Sequence, residues 1–317
     1  MRNITINKPS RSGLIRLIGT IVTLALLFYL LSQQGWQAIS IAIQKIPRSS
    51  LVLTFILMII SRIAVSARWY TLLRSGELSI SFKKTLEITF AGLFASNFLP
   101  TTIGGDVVRL AGAIQANLDA AVSAASLIAD RLIGLAGMAM AVPLAIPNII
   151  QYSASLSAAP ARTTPQYLSI ATMTSQKWWY KAWAKGIEIF QRVVSALSIW
   201  LKRPGALVKS LAFTWVHMLC LFSILTILFV GMGEDISILE VGGLYSIVYL
   251  VTLLPISING YGLQEISMTY VFSELAGVSI TSAVTAALVF RTLFMLTSLP
   301  GAIYLPGLLT KSEKNQK

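Results

Sequence analysis

The sequence predicts an all-α, polytopic membrane bundle, and three observations carry that prediction. Hydrophobic residues make up 55% of the 317 and charged residues 12%, with a mean hydropathy of +0.74, far more apolar than a soluble domain. Apolar runs long enough to cross about 30 Å of hydrocarbon recur along the chain. Within them a proline- and glycine-punctuated stretch occurs twice, as Asn97-Phe98-Leu99-Pro100-Thr101-Thr102-Ile103-Gly104-Gly105-Asp106-Val107-Val108-Arg109 and as Leu254-Pro255-Ile256-Ser257-Ile258-Asn259-Gly260-Tyr261-Gly262-Leu263-Gln264-Glu265. Each copy breaks an apolar run with proline, turns on glycine and presents an ionisable residue where a new helical pattern starts.

About eight spans are expected, over residues 13–32, 51–73, 85–99, 122–150, 207–231, 242–258, 264–276 and 283–309. The third, sixth and seventh are short, and they border the broken stretches. Pro100, Gly104 and Gly105 in one copy, and Pro255, Gly260 and Gly262 in the other, are read as hinges of broken or re-entrant helices. Such backbone must pack inside the bundle, because lipid cannot satisfy its freed polar groups. Paired broken helices in two halves point to a transporter site near the bilayer midplane. The chain is thus read as one integral-membrane domain over 1–317, with repeat 1 at about 51–150, a connector at about 151–206 and repeat 2 at about 207–309.

The first apolar run follows Arg2, Lys8, Arg11 and Arg16 but has no small-residue cleavage site after it, so it is expected to be a retained helix. The connector begins with a Ser/Ala/Thr/Pro-rich loop and continues with Trp178, Trp179, Trp183 and Trp200 among lysines, its apolar residues three to four apart. That pattern fits an interfacial amphipathic helix or a cytosolic helix packed on the bundle. A shorter element of the same kind, Trp36 to Ile46, is expected on the opposite surface. Lysine and arginine gather at both termini, at Arg74-Lys83-Lys84 and in the connector, whereas Glu234, Asp235 and Glu240 share an acidic turn. The positive-inside rule then puts both termini in the cytoplasm of a cell that carries the protein in its cytoplasmic (inner) membrane. A strict inverted repeat would separate the termini, and the charge rule is given the greater weight.

The formal charge of +13 lies mostly at span ends, which suits membrane surfaces and argues against nucleic acid as a partner. Neither a phosphate-binding loop nor a metal-binding histidine cluster is present in a chain with one histidine, so no cofactor, metal or catalytic residue is expected. Cys220 reads as a packed or lipid-facing thiol.

The pattern Pro100-x3-Gly104-Gly105-Asp106-Val107-Val108-Arg109, then Asp130-Arg131-Leu132, then Asn259-Gly260-Tyr261-Gly262-x2-Glu265 and Phe290-Arg291, resembles the lysylphosphatidylglycerol synthase transmembrane-domain family, also called the flippase-like domain family. The resemblance covers nearly the whole chain. It departs from the usual pattern at Asn259, where glycine is common, and at Gln264, where arginine is common. In multifunctional members this membrane domain is joined to a soluble aminoacyl-transfer domain, which the 317 residues lack. The resemblance therefore implies a stand-alone translocase for an amphipathic phospholipid or polyprenyl-linked lipid.

Ionisable residues inside spans are functional candidates by default. Asp106, Arg109, Asp130, Arg131, Glu265 and Arg291 are the expected substrate-binding set, with the arginines holding a phosphate-bearing headgroup. Asp106 is read as the N-cap of the helix carrying Arg109. Asp130 and Arg131 are adjacent and so reach different partners, and Arg131 with Glu265 and Arg291 with Asp106 are the expected pairs across the repeats. Arg68 is expected to snorkel to the interface, Arg62 to be the weaker candidate and His217 to be packed. The partners implied are membrane lipids with an anionic headgroup, together with a lipid or glycan synthesis enzyme. The competing readings are a membrane-embedded transferase and a non-transporting scaffold.

Overall fold

A computed structural model describes residues 36–97, 104–158, 203–254 and 257–306, together with Trp200 and scattered positions between 21 and 32. Helices account for nearly all of these residues, with no strand among them. Pro100, Thr102, Pro255 and the connector tryptophans other than Trp200 lie outside the described residues.

A short helix α1 (Trp36–Lys45) precedes two successions of four helices. The first comprises α2 (Arg48–Ser75), α3 (Phe82–Ser96), α4 (Gly104–Gln115) and α5 (Ala120–Ala141). Pro143 and Pro147 withhold two backbone donors, and the chain tightens into a 3-10 turn, Val142–Ala145, before α6 (Ile146–Ala158). The second succession comprises α7 (Pro204–Met232), α8 (Ile238–Thr252), α9 (Leu263–Ala276) and α10 (Ile280–Ser298). Lengths of 28, 15, 12 and 22 residues are answered by 29, 15, 14 and 19. The caps repeat as well. Ser81 and Ser237 accept from the backbone N–H three residues on at the starts of α3 and α8, and Asp119 and Ser279 do so at the starts of α5 and α10.

The two repeats are inverted. Near one end of α2, Ile46 lies against Gly231 late in α7; near the other, Arg203 donates to the Ser75 carbonyl and the Glu77 carboxylate. The long helices are therefore antiparallel. Midway, Ser61 Oγ and His217 Nδ1 are 2.6 Å apart, and these residues are separated by the same 156 positions that carry Ser81 onto Ser237. Equivalent residues of two copies meet only at a two-fold axis, so this hydrogen bond marks a pseudo-two-fold at the centre of the bundle.

Four segments are long and apolar enough to cross a membrane: Arg48–Ser75, Ala120–Ser155, Pro204–Met232 and Ile280–Ser298. At about 1.5 Å per residue, α3 and α4 reach only about 22 and 18 Å, short of a full crossing. They fold back on one another, Gly112 against Ile88 and Gly105 against Ser96 and Gly92. Asn148 touches both Glu240 at the start of α8 and Leu275 at the end of α9. Each repeat thus carries a helical hairpin, set in sequence between its two long helices. The expected third, sixth and seventh spans are arms of these hairpins, and α4 is an arm the span count did not isolate. The largest apolar cluster surrounds α7 and includes the aromatic chain Phe222, Tyr245, Phe290 and Phe294.

Candidate functional site

The end of the first hairpin's outgoing arm, at Asn97, meets the second hairpin and the last helix. Tyr261 Oη donates to the Asn97 carbonyl at 3.1 Å, and Asn97 Nδ2 donates to Ser298 Oγ at 2.7 Å. The first hairpin closes tightly because its crossing is made of glycine: a Cβ on Gly105 would lie 2.1 Å from Ser96 Oγ and 2.6 Å from the Gly92 carbonyl oxygen. The second tip turns through three left-handed residues, Asn259 (φ 49°), Gly260 (φ 70°) and Gly262 (φ 74°). Asparagine tolerates that region better than other side chains, which explains how it stands at 259 in place of glycine.

Between the tips and α2, α5, α7 and α10 lies a cavity of about 340 Å³. Five arginines line it, Arg62, Arg68, Arg109, Arg131 and Arg291, against two carboxylates, Asp106 and Asp130. Asp130, only 2% exposed, takes Arg68 Nε on Oδ1 at 2.6 Å and Arg109 Nη1 on Oδ2 at 3.1 Å. Asp106 accepts from Arg109 at 3.3 Å and from Arg131. Arg109 stacks on Trp69, 4.3 Å from the ring centre, and Trp69 is pinned by its own donation to Ser126 Oγ at 3.0 Å. Arg291 donates to Glu265 Oε1 at 2.6 Å and to the Gly260 carbonyl at 3.1 Å, and it lies over the Tyr261 ring. A half-buried arginine thus braces the left-handed turn of the second tip, while α4 and α9 begin at the cavity with an acidic residue in the first turn.

This geometry corrects the expected pairing. Arg131 pairs with Asp106 and not with Glu265, and Arg291 pairs with Glu265 and not with Asp106. Each acid sits in the first turn of its hairpin's returning arm, beside the long helix that follows in the same repeat. Pairing is therefore local to a repeat. The expected set divides into four residues of repeat 1, which Arg68 joins as a fifth, and a single pair in repeat 2, so no ion pair links the two repeats within it. Asp106 lies in the first turn of α4, which starts at Gly104, and its oxygens go to arginines where a capping role was expected. Arg68 does not snorkel: it is 7% exposed and holds Asp130. A sequence signal existed, since Asp130 is a buried acid that needs partners, but nothing linear linked it to a residue 62 positions away. His217 is packed as expected, against Ser61.

Among known proteins, a family model described as the lysylphosphatidylglycerol synthase TM region matches residues 16–301. A UPF0104 membrane protein of Pyrococcus horikoshii is 29% identical over 126 residues, which are 38% of this chain and 36% of that protein. The chain therefore spans about a third of the length of the curated relative it matches.

Proposed function

The chain belongs to the lysylphosphatidylglycerol synthase TM-region family, and from that premise we propose that it moves an amphipathic lipid with an anionic, phosphate-bearing headgroup from one membrane leaflet to the other. The observation that carries this reading is the arginine-rich cavity where the two broken helices meet. Irregular backbone and buried charge at membrane depth are expected where a polar substrate passes, and inverted repeats supply the two-way access by rocking of one against the other. The headgroup sits among the guanidiniums while the lipid chains stay in the bilayer.

Orientation in this reading follows the charges. Arg74, Lys83, Lys84, Arg203 and Lys209 gather at one end of the bundle and Glu234, Asp235 and Glu240 at the other. The basic end faces the cytoplasm, the membrane is the cytoplasmic one, and both termini lie on the basic side. No chemical change of the lipid is expected, because both cavity carboxylates are held by arginines and neither is available as a general base. Purified protein in liposomes tests the proposal. Fluorescent phosphatidylglycerol should become accessible to a membrane-impermeant quencher from both leaflets, chemically unaltered. Exchange no faster than in protein-free liposomes would overturn the transport reading, and a modified lipid would replace it with a transferase.

A further inference from the structure

Four of the five cavity arginines have a carboxylate partner: Arg68 and Arg109 at Asp130, Arg131 at Asp106 and Arg291 at Glu265. Arg62 has none among the described residues. It is 4% exposed on α2, with its guanidinium 4.1 Å from the centre of the Phe294 ring and Nε 3.4 Å from Thr297 Oγ1. An aromatic face and a hydroxyl at the limit of hydrogen-bonding distance do not neutralise a buried cation. Counting Glu265 behind Arg291, five guanidiniums face three carboxylates, leaving a net charge of +2. All four oxygens of Asp106 and Asp130, the carboxylates that line the cavity, are engaged by arginines. The one carboxylate oxygen of the three acids left without a partner, Glu265 Oε2, belongs to a residue behind Arg291 and outside the lining. The site therefore offers an added anion an unneutralised guanidinium and an added cation no free lining carboxylate.

We propose that Arg62 is the anchor of the headgroup phosphate, and that the site selects lipids whose headgroup is a net anion over zwitterionic or cationic ones. The inference rests on the lipid-binding reading of the same cavity and assigns its ligand contact. The clustered arginines of repeat 1 are fixed by Asp106 and Asp130 and position the wall, whereas the planar fork of Arg62 lies one residue from the Ser61–His217 contact at the axis and keeps its charge for the ligand. A phosphatidylcholine phosphate would bring a trimethylammonium with no carboxylate to meet it; a phosphatidylglycerol phosphate brings only hydroxyls.

Arg62 also differs from its neighbours in what its removal does. Replacing a paired arginine strands a buried carboxylate, but Arg62→Met removes an uncompensated buried cation and strands nothing. Thermal unfolding of the full chain in detergent, titrated with phosphatidylglycerol, phosphatidylcholine or inorganic phosphate, reads both properties. In the unmodified protein phosphatidylglycerol raises the melting temperature and phosphatidylcholine does so at least tenfold less effectively. Arg62→Met melts at or above the ligand-free temperature of the unmodified protein and loses phosphatidylglycerol affinity at least tenfold, while Arg62→Lys loses less. A ligand-free melting temperature that falls in Arg62→Met would make Arg62 a structural residue and overturn the proposal, as would an undiminished lipid response. If inorganic phosphate alone reproduced the full response, the anion held there would be free phosphate and the lipid assignment would fail. Because the assay reads binding, a protein that binds through Arg62 yet does not exchange lipid would overturn the transport reading alone.

Discussion

The two repeats share a backbone and differ in chemistry. The acid and arginine of the tip occur in both, Asp106 with Arg131 and Glu265 with Arg291. Around that common pair, the same alignment sets Arg109 against Met268, Asp130 against Phe290, Arg68 against Ile224 and Arg62 against Met218. All four counterparts in repeat 2 are fully buried apolar residues. The fold therefore does not require charge at these positions, since the second copy of the same four helices is built without it. What repeat 2 gains is packing, with Met218, Ile224, Met268 and Phe290 in the largest apolar cluster of the molecule. What repeat 1 gains is a polar wall, held at the desolvation cost that buried ions carry.

The sharpest way to break this comparison is at Asp130. Asp130→Asn leaves Arg68 without a carboxylate and Arg109 with only its longer contact to Asp106, and removing one member of a buried ion cluster destabilises by about 3–5 kcal/mol. A large drop in melting temperature is expected, with lipid exchange lost. Importing the repeat 2 residues, as Arg68→Ile, Arg109→Met and Asp130→Phe together, removes all three charges at once. That triple variant should fold with stability near that of the unmodified chain, since apolar replacement of a buried ion cluster is often neutral, yet exchange no lipid. A triple variant less stable than Asp130→Asn would show that the wall is structural.

The helical class and the two breaks were legible because composition and the proline-glycine punctuation act locally. A residue such as Gly104 or Gly262 announces a break whatever lies around it. Pairing was not legible, because it depends on which helices neighbour one another. The sequence places an acid and an arginine at matching points of each half, Asp106 and Arg131 answering to Glu265 and Arg291, and only the local return of each hairpin arm shows that Asp106 meets Arg131 and not Arg291. Arg68 and Arg62 went undervalued for a related reason. Both sit on a long apolar helix, α2, whose sequence looks the same whether a face meets lipid, a partner helix or a cavity, and only the inverted packing of α2 against α7 turns these arginines inward.

A second difference lies in how the tips are closed, and it predicts effects of intermediate size. The first hairpin needs glycine for space: Gly105→Ala drives a methyl into the Gly92 carbonyl, which is backbone and cannot rotate away, at a cost of about 1–3 kcal/mol. The second needs glycine for conformation, so Gly262→Ala at φ 74° costs about 1–2 kcal/mol. The two are separable by a companion change. Gly105→Ala should gain little from Ser96→Ala, because the carbonyl clash remains, and melting curves of the single and double variants measure this. Full recovery in the double variant would mean that the hydroxyl alone sets the spacing.

The smallest predicted effect comes from the loops at the hairpin bases. In repeat 1, Leu78 and Leu118 close the two loops within one apolar cluster. In repeat 2 the position of Leu78 is taken by Glu234, which accepts from Ser279 Oγ at 2.6 Å and from the Ser279 N–H at 3.4 Å. Desolvation works against the Glu234 carboxylate, but the hydrogen bonds from Ser279 and Ser282, aided by nearby Lys45, outweigh it and hold its pKa below the ordinary 4.5. A depressed carboxyl pKa contributes stability that is fully present above pH 4.5 and is lost as the pH falls through the lower folded value. At this partly exposed site solvent screening keeps the contribution below about 1 kcal/mol, or roughly 2–4 °C in melting temperature. Melting the unmodified chain beside Glu234→Leu, which installs the repeat 1 solution, should show a gap that shrinks or reverses between pH 7 and pH 3.5. A gap that is constant with pH would mean that the Glu234 clasp does not titrate as a charged acceptor, and that the two loop closures differ only in packing.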